Sequence, residues 1–320
     1  MEKHAYGRIA TDQISTDFPY SVRYRLEDIS LKDSVTKHGV LTPLWVSADH
    51  PRVLISGHRR FIAARSLGHP SIPVHELAGS HSPKQLFIYA ILANLNQAWS
   101  ELDRVCVLKK ARQDFGLSES EILNELLPAL SLDRAAHVLR GYERISQLHP
   151  LLLDEIQCGH LPFRGAQILD GLRIEDQRIF AEYIVSHAAL TTSELLQVGE
   201  WLCDLIRDRR MSLDIFLKSE KIEVMLQDMR QNRRWKGEQL CRRLRELRFP
   251  RLTGCEREFR SLAHEICGDI RDIKVEASPS FEQEGYTLQA RVRNSQSLEH
   301  LLNLLREKQS SLNSLFDFML

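Results

Sequence analysis

From residue 84 to about 247, nearly every segment of this chain repeats its apolar residues at intervals of three and four. That spacing lines them up on one stripe of a 3.6-residue helix and leaves no room there for a large sheet. Leu86, Tyr89, Ala90, Ala93 and Asn94 form one stripe, and Leu102, Val105, Cys106 and Lys109 another. Segments 118–128, 132–147, 150–158, 175–188, 192–209 and 213–230 carry the same period. Strand-like patterns are confined to the two ends, so the expected class is α+β and mostly helical.

The first 83 residues mix both periods. Leu31 and Val35 sit four apart in a short helix that Gly39 stops, and the apolar runs Leu44 to Val46 and Val53 to Ile55 read as strands joined by a hairpin through Asp49, His50 and Pro51. Gly57 ends the second strand, residues 59–67 have helical composition, and Ile72, Val74 and His75 form a last strand. At the far end a helix is expected over 254–267, strands over 271–277 and 286–293, and a leucine-rich helix from Leu298 to Leu305 capped by Ser297. Four segments follow: an α/β domain over 1–83, a helical domain over 84–172, a helical extension over 173–251, and an α+β element over 252–320.

With 320 residues, 43% of them hydrophobic, the chain can bury more than one core. No window reaches the roughly 18–20 apolar residues of a spanning helix, and the start lacks a basic patch followed by an apolar run, so a soluble, cytoplasmic protein without a membrane partner is expected. The six cysteines form no CxxC pair and read as reduced thiols, and the histidines at 69, 75, 81, 149 and 160 show no ligand spacing, so no metal site is expected.

Lys+Arg 43 balances Asp+Glu 43, which by itself argues against a polyanionic partner. Resolved by segment the balance disappears. Residues 228–251 hold nine basic residues against three acidic ones, and residues 117–170 hold four arginines against eight acids.

The string Ile55-Ser56-Gly57-His58-Arg59-Arg60 places a glycine where a strand meets a helix. The free N–H groups of such a helix start attract anions, and two arginines add donors suited to phosphate. A plain strand-to-helix turn with solvated arginines has the same sequence. The order of motifs around it decides between the two. Gly39-Val40-Leu41-Thr42-Pro43-Leu44-Trp45-Val46, then Gly57-His58-Arg59-Arg60, then Ala93-Asn94-Leu95-Asn96-Gln97 and Phe115-Gly116-Leu117-Ser118, resembles the ParB/Spo0J chromosome-partitioning family over roughly residues 20–172.

The resemblance implies a ParB N-terminal/sulfiredoxin-like domain, a helix-turn-helix, DNA binding, and CTP held at the arginine box. On that footing Gly57, His58, Arg59, Arg60 and Asn94 are the expected nucleotide contacts. His58 stands where the family has glutamate, Ala93 where it has the acid that helps hold magnesium, and Gln97 where it has arginine. Magnesium binding is therefore not expected, CTP hydrolysis is expected to be weak or absent, and no catalytic residue is assigned. A homodimer and a ParA-type ATPase partner are further implications, with a nucleoid location if DNA is bound.

For DNA, Arg134, His137, Arg140 and Arg144 step by three, three and four along the expected recognition helix, one cationic face. Arg233 and Arg234, beside Trp235, are the second candidate, with an alternative in which the basic run pairs with acidic residues. Two other readings stay open: phosphotransfer, which relatives of this fold perform but for which none of Glu27, Asp28 and His58 makes a convincing general base, and a partner-binding adaptor whose DNA site has decayed. The sulfiredoxin nucleophile would fall at Gly57 and is absent.

Overall fold

The computed structural model describes residues 5–48, 52–268, 273–278 and 285–318. The hairpin turn expected at residues 49–51 and the first two residues of the strand expected over 271–277 lie outside these. The chain divides into two compact units, residues 1–196 and 197–320.

The first unit begins with β1 (Ala5–Ala10), α1 (Ile29–His38), β2 (Leu44–Ser47), β3 (Leu54–Ser56), α2 (His58–Ser66) and β4 (Ser71–Leu77). The sheet order is β1-β4-β2-β3. β2 runs parallel to β4 and antiparallel to β3, with an irregularity between Trp45 and Val46. β1 is not legible in the sequence, because Gly7 interrupts its apolar alternation. It forms through its ladder with β4, from Ala5 opposite Glu76 to Ala10 opposite Ser71. Ile9, Leu44, Val46, Leu54, Ile72 and Val74 bury one face of this sheet against Val35 of α1 and Phe61, Ala63 and Ala64 of α2. Phe61 is fully buried, and truncating it to alanine would cost about 3–5 kcal/mol.

The remainder of the unit is helical and well capped. In α3 (Pro83–Leu92) Ser82 and Gln85 form a capping box, and in α4 (Glu101–Gln113) Ser100 and Asp103 form another. Ser118 and Glu121 do the same for α5 (Glu119–Glu121), which runs through a π-helical stretch, Ile122–Leu126, into α6 (Leu127–Ala129). The widened turn lies just before Pro128, whose ring a regular helix would not accommodate. After Ser131, at φ +58°, the chain enters α7 (Ala136–Ser146). The helix therefore starts four residues later than the spacing suggests, and Arg134 belongs to the preceding turn. α8 (Pro150–Gln157), α9 (Phe163–Ala166) and α10 (Ile174–Ile179) follow, and α11 (Thr192–Asp208) carries the chain across the boundary.

The second unit contains α12 (Leu213–Ser219), α13 (Ile222–Gln227), α14 (Arg233–Arg248), α15 (Pro250–Cys267), β5 (Ile273–Ala277), β6 (Tyr286–Ala290), α16 (Ser295–Glu307) and α17 (Gln309–Ser314). The single helix expected over 213–230 is broken at Lys221, which takes φ +57°. β5 and β6 pair antiparallel and place Val275 in a small core with Phe259, Ile266 and Leu315. Ser297 is not the cap of α16. Asn294 is, accepting from the Ser297 N–H at 2.8 Å, with Ser297 as its partner in the capping box. The architecture is α+β and mostly helical, as expected. Among the described residues no helix is long and apolar enough to cross a membrane.

Candidate functional site

Where β3 runs into α2 the backbone at Gly57 takes φ +97°. A Cβ there would lie 2.5 Å from Leu44 Cδ2 and 3.2 Å from Arg60 Nη2, so glycine meets both the left-handed backbone and the close approach of two side chains. No side chain caps α2, and its first-turn N–H groups are left to the space in front of them. That space is a cleft of about 500 Å³ bordered by Arg23, Asp28, Thr42, Gly57, Arg59, Arg60, Asn94 and Gln97.

Arg60 folds back along the cleft wall. Its Nη1 donates to the Thr42 carbonyl at 2.5 Å and the Pro43 carbonyl at 3.0 Å. Burial pushes this guanidinium below its ordinary pKa, and no carboxylate pairs with it among the described residues. Arg59 donates through Nε to the Arg25 carbonyl at 3.0 Å and faces Asp28 Oδ2 at 3.7 Å. Asp28 is already engaged as the cap of α1, accepting from the Leu31 N–H at 3.0 Å and the Ser30 hydroxyl at 2.7 Å, which hold its carboxyl below the usual range.

His58 also borders the cleft, but its imidazole is only 6% exposed. Phe18 meets it edge-on at 5.2 Å, and Nε2 has no hydrogen-bond partner. Burial first, and the nearby Lys110 charge second, push its pKa down to about 4, so the ring is neutral. The His58 side chain, one of the expected nucleotide contacts, is therefore a neutral packing group and not a charged donor in the cleft.

Asn94 is committed to the protein itself. Its Nδ2 donates to the Ala90 carbonyl at 2.8 Å and its Oδ1 accepts from Arg23 Nη2 at 3.4 Å. Arg23 is the hub that sequence reasoning misses. It pairs with Asp103 at 2.9 Å, donates to the Ala98 carbonyl at 2.7 Å and to Gln97 Oε1 at 3.3 Å, and lies 4.6 Å over the Trp99 ring. No local pattern marks this arginine, because its counter-ion is 80 positions away. Lys110 is equally unmarked: its ammonium, on α4, donates to the Phe18, Pro19 and Ser21 carbonyls. Tyr24 adds a hydrogen bond to Asp154 of α8 at 3.0 Å. Residues 18–25 thus tie the cleft to two helices beyond residue 83.

α5 and α6, the turn at Ser131 and α7 follow one another in the order expected of a helix-turn-helix. Arg134, His137 and Arg140 are exposed and have no acidic partner among the described residues. Arg144 differs: Nε and Nη2 make a fork onto Asp170 at 2.5 and 2.9 Å. The basic run on α14 is largely neutralised. Arg234 pairs with Glu238, Arg243 with Glu220, Arg245 with Glu256 and Arg248 with Asp204. Arg233 is exposed at the first position of α14, and Trp235, just behind it, is 36% exposed.

No family model matches the chain, and no curated protein matches it. Solved structures similar to it include the C-terminally truncated chromosome-partitioning protein ParB from Caulobacter crescentus in complex with the centromeric parS site. That match has 16% identity and a TM-score of 0.37, covering 61% of this chain and 98% of that one. The same protein complexed with CTP-gamma-S matches at 17% identity and a TM-score of 0.24, over 56% and 97% of the two chains. A Pnob8-like ParB-N domain matches at 15% and 0.33, over 65% and 84%. Identities and scores this low carry no functional argument, which has to come from the residues themselves.

Proposed function

We propose that the protein is a ParB-like DNA-binding protein that contacts DNA through α7 and takes a nucleotide, CTP in the family it resembles, in the cleft at Arg59 and Arg60. The observation that supports the reading is the exposed basic face at the start of α7, the helix in the recognition position of the expected helix-turn-helix. His137 and Arg140 on α7, and Arg134 in the turn just before it, stand exposed with no acidic partner among the described residues, inside a segment that is acidic overall. Such a face suits phosphates and guanine edges of a major groove. Arg144 is spent on Asp170 and adds little. The ion pairs of α14 argue that Arg233 and Arg234 make a secondary contribution.

The cleft supports binding in preference to phosphotransfer. Asp28 already accepts two hydrogen bonds, and His58 is buried, so neither is placed to take a proton from a substrate. Dimerisation through the C-terminal element and a ParA-type ATPase partner belong to the same reading.

Fluorescence anisotropy with duplex DNA at two salt concentrations, on wild type and Arg140→Ala, tests it. The substitution should weaken binding by about 1–3 kcal/mol if a base edge is lost, or flatten the salt slope by about one if a phosphate is. Unchanged affinity and slope would remove α7 from the interface.

A further inference from the structure

We propose that the cleft takes phosphate groups as the free anion, with no divalent cation bridging them to the protein. This deepens the nucleotide reading above and rests on the same cleft. The resemblance implies magnesium, and the residues present do not fit it. A hard cation needs oxygen ligands, typically one or two carboxylates beside the phosphates and water. The position that supplies an acid in the family is Ala93, at the C-terminal end of α3. The carboxylate that does border the cleft is Asp28, which caps α1 and faces the Arg59 guanidinium. Asp103 lies behind Arg23 with its side chain 5% exposed, its oxygens accepting from Arg23, the Tyr24 N–H and the Ser100 N–H. The amide oxygens of Asn94 and Gln97 also accept from Arg23. Among the described residues no group of three His, Cys, Asp or Glu side chains is placed to hold a metal.

The positive side of the cleft has the opposite character. Arg60 is half-buried without a carboxylate partner. Its Nη1 is used by two carbonyls, while Nε and Nη2 have no partner among the described residues. A cation partly withdrawn from water without a counter-ion is costly, and an anion on its open edge relieves that cost. Arg59 and the uncapped first turn of α2 add further positive potential on the same side. Magnesium on the phosphates would lower the charge these groups meet and would itself face two guanidinium groups. It competes with this cleft.

Calorimetry on the full-length protein with CTP, and separately with pyrophosphate, each in excess magnesium and in EDTA, tests the proposal. Chelation should leave the dissociation constant unchanged within about twofold or tighten it, and Arg60→Gln should weaken binding at least about tenfold in both buffers. The shorter glutamine amide falls short of the Thr42 and Pro43 carbonyls that Nη1 reaches, so the thermal midpoint of the variant is measured alongside, and the chelation comparison needs wild type alone. Binding that weakens by more than about twofold on chelation overturns the proposal and leaves the nucleotide reading standing. Pyrophosphate binding in EDTA without CTP binding supports the metal-free site and removes the nucleotide reading. No binding by either probe overturns both.

Discussion

Arg23 and Asp103 form a buried ion pair 2.9 Å apart, with side chains 8% and 5% exposed. It joins the segment before α1 to α4. Breaking such a pair from one side strands a charge, so Asp103→Ala should lower stability by about 3–5 kcal/mol in denaturant titrations. Burial alone would raise the Asp103 pKa, but the Tyr24 N–H, Arg23 and the Ser100 N–H outweigh it and hold the pKa low. The stabilisation is therefore complete above the unfolded carboxylate range and is lost as acid protonates the folded form. Asp103→Ala should show a shallower acid limb than wild type.

Gly57→Ala should destabilise the protein by about 1–3 kcal/mol, because alanine must adopt φ +97° and press on Leu44. It should also disturb Arg60, whose guanidinium lies over the glycine. The thermal midpoint reads the first effect and anion titration the second. A variant as stable as wild type would refute the steric account of this turn.

His58 titrates near 4 in the folded protein against an ordinary 6.5. Above both values the ring is neutral in either state and contributes no pH dependence. As the pH falls from 6.5 to about 4 the unfolded chain takes up the proton first, so folding stability declines by up to about 3 kcal/mol. His58→Leu should flatten this part of the stability profile, followed by chemical denaturation at a series of pH values. An unchanged slope would place the titrating group elsewhere.

α16 buries none of its residues within the chain, and Leu298 and Leu302 are 45% and 48% exposed. A second copy covering this face is the proposed dimer. Sedimentation velocity should show a dimer in wild type and a monomer in Leu302→Glu with unchanged helicity. A wild-type monomer would leave the leucines without a role in association.

What could be read from sequence depended on how local the cause was. Gly39, Gly57 and Gly68 punctuate elements whose apolar runs are short and regular, and α1, β2, β3 and α2 fall where those runs put them. β1 could not be read, since its alternation is weak and its partner β4 lies far along the chain. At the cleft, Arg59 and Arg60 announce themselves by adjacency to Gly57. Arg23, Asp103 and Lys110 do not, because each is defined by partners brought together only by folding. The cationic face on α7 was visible as spacing, but whether each charge is free was not. Asp170 takes Arg144, and nothing in the spacing of either residue says so.

The ties made by residues 18–25 bear on how this molecule can be taken apart. The N-terminal sheet ends with β4 at Leu77, and a cloning boundary would naturally be drawn in the loop that follows, near residue 83. A fragment cut there would keep Arg23 without Asp103, the Phe18, Pro19 and Ser21 carbonyls without Lys110, and Tyr24 without Asp154. The cleft, α4 and α8 share the contacts that hold them, so a fragment that keeps the cleft intact has to include both helices.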